Sequence, residues 1–105
     1  MELLLEVTDS FLIEARGLVL APAIALSESG RFQTFSDSVQ IERPDGLRTQ
    51  FEATFATEHL SLIGGGSRWQ VTTTLSRGKK GDVPPGSRVL VETATLRRLR
   101  GEQPA

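Results

Sequence analysis

The sequence contains no cysteine and a single histidine, and both shortages remove classes of chemistry. Without cysteine, the chain forms no disulfide, no thiolate zinc site and no cysteine nucleophile. With His59 as the sole imidazole, a metal site would depend on carboxylates, whose spacing matches no EF-hand loop. We therefore expect neither a metal nor a cofactor.

Long apolar runs and helical periodicity are missing as well. The segment Met1–Glu6 places acids where a signal peptide carries basic residues, and its apolar run is too short to span a bilayer, so we expect a cytoplasmic protein without membrane contact. Neither a Gly-x-x-x-x-Gly-Lys-Ser/Thr phosphate loop nor a Gly-x-Ser-x-Gly elbow occurs. Nucleotide hydrolysis and a serine hydrolase site are therefore not predicted.

Alternation of apolar and polar side chains with a period of two is the main pattern that is present. It recurs in short segments separated by turn residues, and 105 residues suffice for one domain. The pattern predicts an all-β fold, a small closed or partly open antiparallel β-barrel of six to eight short strands. We expect residues 1–93 to form the barrel domain and residues 94–105 a C-terminal extension that is basic and then frayed.

The strand boundaries follow from turn residues. Glu2–Thr8 is predicted as the first strand, and a second strand is expected to bend at Gly17 and stop at Pro22. A short third strand over 23–26 and a turn over 27–30 follow, with Phe32 and Phe35 returning to the core. Arg43–Gly46 predicts a hairpin turn.

Three further features complete the strand prediction. Because Leu60 and Leu62 fall on the opposite parity from Phe51 and Phe55, a bulge or bend near 57–59 is expected. Gly64–Gly66 predicts a flexible corner, and Pro85-Gly86 a turn that lets pairing of the last strand begin at about Ser87. Residues 94–100 remain open between a helical turn and a strand extension. The predicted core is Leu5, Val7, Leu18, Leu20, Val39, Ile41, Phe51, Phe55, Trp69, Val71, Leu75, Val89 and Val91.

The order of these motifs resembles the second domain of elongation factor Tu and related translational GTPases over roughly Leu3–Thr93. The similarity lies in an aromatic bend with an Arg-Gly step at 11–17, an Asp-led strand at 37–41, and the turn at 80–90 before the last strand. The resemblance implies a small closed antiparallel barrel. The sequence departs from the family at Ser36 and at the glycine triplet, and it lacks the GTPase domain's phosphate loop, so no GTPase function is implied.

Basic side chains supply the main functional signal. Residues 63–105 have a net charge of +5 and residues 1–62 a net charge of −6. A cluster that could hold RNA phosphates surrounds the predicted last loop, with Trp69 or Arg68 stacking on a base and the arginines of the tail as auxiliaries. The alternative is a solvated loop, with Trp69 in the core. The cluster consists of Arg77, Lys79, Lys80 and Arg88.

Two functional hypotheses follow. The first is a noncatalytic β-barrel module that binds a protein or RNA partner, with a homodimer through an edge strand also conceivable. The second is a small enzyme or small-molecule-binding barrel. Glu58 and His59 are weighed as an acid–base pair, but neighbours in a strand point to opposite faces, which favours a structural or surface histidine.

Overall fold

The computed structural model describes residues 1–25, 34–61 and 63–99. Within these ranges the chain forms seven strands, a short 3-10 helix at Lys80–Asp82 and one α-helix. The predictions for residues 27–30 and for Phe32 lie outside the described residues. The elements are β1 (Glu2–Glu6), β2 (Asp9–Ile13), β3 (Gly17–Ala25), β4 (Phe35–Glu42), β5 (Arg48–Ser61), β6 (Ser67–Leu75), β7 (Arg88–Val91) and α1 (Thr93–Leu99).

All seven strands belong to one antiparallel sheet in the order β1-β7-β4-β5-β6-β3-β2, which curls into a half-barrel. The all-β prediction is therefore confirmed. β1 lies at one end of this sheet and β2 at the other, and the chain passes directly from one to the other. The Val7 N–H donates to the Ser87 carbonyl at 2.7 Å, and the Thr8 N–H donates to the Ala21 carbonyl at 2.9 Å. Within one residue the chain thus leaves the β7 side and begins to pair with β3.

The concave side of the sheet holds the core. Its largest fully buried side chain is Phe55, whose ring lies 5.2 Å from the ring of the half-buried Phe35. Most of the predicted core is confirmed, because the period-two pattern places those side chains on the concave face. Phe51 is only partly buried against this core. The buried apolar residues are Leu5, Val7, Leu18, Leu20, Val39, Ile41, Ala53, Phe55, Val71, Leu75, Val83, Val89, Val91, Leu96 and Leu99.

Two predicted turns are confirmed. At the β4–β5 connection the Gly46 N–H donates to the Arg43 carbonyl at 2.8 Å, and Gly46 has a φ of 89°. Before β7, the N–H and the hydroxyl of Ser87 both donate to the Pro84 carbonyl, at 3.1 and 2.6 Å. Pairing of β7 with β1 then starts at Arg88, opposite Glu6, close to the predicted start at about Ser87.

The prediction of a single bent strand through Gly17 is wrong. Gly17 instead begins β3, which folds back on β2 as a hairpin with Ile13 opposite Gly17. β3 also continues through Pro22 to Ala25. Proline is compatible with this position because the register of β3 against β6 shifts between Leu20 and Ile24, where a bulge relieves the need for a ladder N–H.

The predicted bulge near residues 57–59 is also wrong, because β5 pairs with β6 in unbroken register from Ala53 to Ser61. Trp69 is half-buried and lies outside the core, contrary to prediction. The reason is the length of the β5–β6 hairpin. In the described part of the chain, the pairing of β5 with β4 extends towards the tip of the β5–β6 hairpin only as far as Phe55. The pairing of β6 with β3 extends towards the same tip only as far as Gln70. Trp69 lies beyond both.

The helical alternative for the C-terminal segment is the one observed. α1 buries Leu96 and Leu99 in the core, and its Thr95 hydroxyl donates to the Asp37 carboxylate on β4. No helix in the described ranges combines the length and apolar character needed to cross a bilayer.

Candidate functional site

Arg88 of the predicted basic cluster lies between two carboxylates. In the sheet it is directly opposite Glu6 on β1 and opposite Glu42 on β4. Opposite charges at such positions attract each other across neighbouring strands. Glu42 also forms an ion pair with Arg48 at 2.7 Å. Arg88 therefore has carboxylates on both neighbouring strands, but it is exposed and forms no ion pair with another described residue.

Lys80 is likewise engaged inside the molecule. Its Nζ lies 3.7 Å from Asp9 Oδ1 and 5.8 Å from the centroid of the Phe11 ring. Both contacts are to β2, so the 3-10 helix lies beside this strand. The side chain of Lys80 is still 65% exposed, and the pair is therefore a weak surface interaction.

Arg77 and Lys79 are exposed, and neither forms an ion pair with another described residue. The Lys79 N–H donates to the Asp82 carboxylate at 2.9 Å, which places one negative group beside this short basic segment. All four predicted contacts are thus exposed, with carboxylates close to Lys80 and opposite Arg88.

The auxiliary residues of the RNA hypothesis are dispersed. The Arg98 guanidinium lies over the Phe35 ring, and Arg100 and the Arg68 side chain lie outside the described residues. The Trp69 ring contacts the His59 ring at 4.9 Å, on the far part of the β5–β6 hairpin. None of these groups is shown beside the basic loop.

Glu58 and His59 remain on opposite faces of β5, because their pairing with Gln70 and Trp69 is regular. Glu58 instead forms an ion pair with Arg16 at 3.3 Å. Among the described residues, no group of three or more His, Asp or Glu side chains could hold a metal ion.

The sheet edge at β2 carries a feature that sequence reasoning did not identify. Three consecutive large apolar side chains are exposed there: Phe11 at 50%, Leu12 at 66% and Ile13 at 40%. β2 is the last strand of the sheet and has a strand neighbour only on its β3 side. An apolar edge strand with unpaired backbone groups is a template for another strand.

The backbone of β2 shows which of its groups point outward. The Ser10 N–H donates to its neighbour Asp9 Oδ1 at 2.8 Å, which indicates that it faces away from β3. In an antiparallel pair, bonded and non-bonded positions alternate, so Ser10 and Leu12 are non-bonded towards β3 and direct their N–H and C=O groups away from it. Asp9 covers the outward N–H of Ser10. The N–H and C=O of Leu12 thus point to the unpaired side of the edge.

A cavity of about 660 Å³ lies beside Leu12 and opens widely to solvent. The β2–β3 hairpin forms most of its wall, and Ser76 at the end of β6 contributes the rest. Glu14 and Arg16 are its ionisable lining residues. The hairpin takes this shape because Ala15 has a φ of 69° and Gly17 a φ of 114°, which turns the chain back at the rim.

Comparison with known proteins adds no relative: no protein-family model, curated protein or solved structure matches the chain.

Proposed function

We propose that the protein is a noncatalytic β-barrel module that binds an extended segment of a protein partner along the edge of β2. The supporting observation is the combination at one residue, Leu12, of an exposed apolar side chain and an outward N–H and C=O. Backbone hydrogen bonds supply affinity in strand addition, and alternate side chains supply specificity.

The side chains beside this edge favour an apolar partner segment. Phe11 and Ile13 lie on one face of β2 and Leu12 on the other, next to the open cavity. An added strand whose side chains alternate would cover both faces at once. Monomeric proteins rarely leave such contiguous apolar surface uncovered.

RNA is the less well supported partner. Of the four basic residues, Arg88 lies between Glu6 and Glu42, and Lys80 contacts Asp9. These nearby carboxylates repel a phosphate and so reduce the electrostatic gain on which single-strand affinity depends. Arg77 and Lys79 remain as candidate contacts for RNA or for acidic residues of a protein partner.

The enzyme alternative rests on the same cavity. Its ionisable residues are Glu14 and Arg16, and Arg16 is held by Glu58. An opening this wide does not strengthen electrostatic interactions with a reacting group as a closed site would. The cavity fits a side chain of a docked segment better than a reaction centre. The relationship to the second domain of translational GTPases remains a prediction from the sequence.

The proposed function can be tested by selecting peptides from a random heptapeptide display library on the immobilised protein. We expect selected peptides to carry apolar residues at alternate positions and to lose at least about tenfold in affinity for Leu12→Pro. Proline removes only the N–H that points away from β3, so circular dichroism and thermal melting should stay close to the parent. The control is Leu47→Pro, which changes another exposed leucine, in the β4–β5 turn, and removes the hydrogen bond that its N–H donates to Asp45 Oδ1.

Peptides that bind the parent and Leu12→Pro equally would overturn the β2 edge as the binding site. Failure to select any binder from the library would overturn the peptide-binding function itself.

A further inference from the structure

We propose that the segment bound by the β2 edge is β2 of a second copy of this chain, so that two sheets join through antiparallel β2 strands across a two-fold axis at Leu12. This inference rests on the proposed function, because it names the partner of the same edge. Three properties of β2 support it: its backbone, its side chains and its charges.

The backbone selects the register. On the exposed half of β2, Leu12 directs both its N–H and its C=O outward, whereas the backbone groups of Phe11 and Ile13 face β3. Two copies can therefore exchange a pair of hydrogen bonds when Leu12 of one is opposite Leu12 of the other, whereas opposite Ser10, whose N–H is already bound to Asp9, Leu12 could only donate one. If the register shifted by one residue, the outward N–H and C=O of Leu12 would lie opposite a residue whose own N–H and C=O point towards β3 of its copy. No hydrogen bond between the copies would then form.

The side chains fit this register. With Leu12 opposite its copy, Phe11 of each chain is opposite Ile13 of the other, and the leucines meet on the opposite face. Every exposed apolar side chain of β2 then has an apolar cross-strand partner. A shift of two residues, centred on Phe11, would instead place Leu12 opposite Ser10 and Ile13 opposite Asp9.

The charges are compatible with the same register. Glu14 of one chain comes opposite Ser10 of the other, and Asp9 comes opposite Ala15, so no two carboxylates are directly opposed. The one-residue shift would place Asp9 opposite Glu14, which like-charge repulsion disfavours. Backbone, apolar side chains and charges of β2 therefore select one arrangement.

The size of the contact sets the expected strength. Each copy contributes one short strand and three apolar side chains, which is less than the roughly 800 Å² per partner of a standard interface. The expected dimer is weak, with a dissociation constant of roughly 10 μM to 1 mM. Such a dimer exchanges readily, which leaves the edge accessible to a competing segment.

Sedimentation equilibrium over this concentration range tests the proposal. The parent should approach a dimer, and Leu12→Lys should raise the dissociation constant by roughly tenfold or more, because two lysines would face each other at the axis. Leu47→Lys is the matched control, since Leu47 is 54% exposed and lies in the β4–β5 turn. It should dimerise like the parent.

The absence of native cysteine allows a second test of the same geometry. A single Leu12→Cys change places two thiols opposite each other at the axis, within the Cα separation that a disulfide tolerates. Mild oxidation should give a covalent dimer from Leu12→Cys and little from Leu47→Cys. Equal cross-linking of both variants would overturn the proposed axis.

The remaining outcomes separate the two proposals. The parent could stay monomeric at about 1 mM, the weak end of the expected range, and still bind selected peptides in a Leu12-dependent way. This result would overturn self-association and leave the proposed function intact. A dimer that survives Leu12→Lys shows association through another surface and overturns the inference. A monomer that binds no peptide overturns both.

Discussion

The guanidinium carbon of Arg98 lies 3.9 Å from the centroid of the Phe35 ring, which joins helix α1 to strand β4. Thr95, one turn earlier in the helix, donates a hydrogen bond to Asp37 on the same strand. Leu96 and Leu99 extend into the core beside these contacts. The last described helix is thus attached to the sheet by an aromatic contact, a polar contact and apolar burial.

The Thr95 to Asp37 hydrogen bond should contribute measurably to stability. In Thr95→Val, a part-buried carboxylate oxygen loses its hydroxyl donor while shape is preserved, so we expect a loss of about 1–3 kcal/mol in the free energy of unfolding. Thr93→Val makes the same change at an exposed position of α1 and should alter stability by less than about 0.5 kcal/mol. Urea denaturation measures both, and equal midpoints would show that the hydrogen bond has no net effect.

Phe55 and Trp69 should differ in their contribution to stability. Phe55 is fully buried, so Phe55→Ala should cost about 3–5 kcal/mol, enough to unfold much of a marginally stable domain. Trp69 is half-buried on the extended part of the hairpin, so Trp69→Ala should cost only about 1–2 kcal/mol. Chemical denaturation of the two variants checks the order. A larger loss for Trp69→Ala would contradict the placement of its strand.

The sequence predicted the strands well where alternation and turn residues agree. Val39 and Ile41 with the Arg43–Gly46 turn determine the β4–β5 hairpin through local chemistry alone, and both are observed. Trp69 is a residue for which alternation alone gave the wrong prediction. Its parity is correct for the concave face, but parity does not reveal that, in the described part of the chain, pairing with β3 and β4 stops short of it.

The candidate site was harder to predict for a related reason. Phe11, Leu12 and Ile13 form a continuous apolar run, which indicates a strand buried on both faces as readily as an edge strand. Which strand lies at the edge depends on the order of the sheet, which joins segments far apart in the sequence. The basic cluster was visible in the sequence, but the carboxylates opposite Arg88 come from β1 and β4 and became apparent only with the register.

Gly17 should be intolerant of a side chain. Its φ is 114°, and a Cβ at this position would lie 2.4 Å from the Leu75 carbonyl oxygen, so Gly17→Ala must displace backbone of β6. We expect a loss of more than about 2 kcal/mol. Gly46→Ala is the matched control, because Gly46 also has a positive φ of 89° but a Cβ there would have no neighbour within 4 Å. It should cost about 1 kcal/mol.

Thermal melting of Gly17→Ala and Gly46→Ala distinguishes the cost of steric overlap with β6 from the cost of backbone strain alone. A Gly17→Ala protein as stable as Gly46→Ala would mean that the β2–β3 hairpin can move away from β6. The cavity beside Leu12 would then not be held in one shape.

Affinity for single-stranded RNA should be weak or absent even at low salt. Lys80 and Arg88 lie beside carboxylates, and the Asp82 carboxylate accepts from the Lys79 N–H, so negative charge lies close to most of the basic cluster. Fluorescence anisotropy with a labelled oligonucleotide, titrated with salt, measures this directly. The comparison is between the parent and the Lys79→Gln/Lys80→Gln double variant.

The salt dependence decides between the two kinds of partner. If the basic loop does bind phosphates, the double variant should lower the slope of log affinity against log salt by roughly 1.4, at about 0.7 for each lysine that no longer neutralises a phosphate. Arg88→Gln should lower the slope by less than one lysine does, because Glu6 and Glu42 lie opposite that side chain in the sheet. Strong binding with this pattern would favour RNA over a protein segment. Absent binding, together with Leu12-dependent peptide binding, would favour the β2 edge as the functional surface.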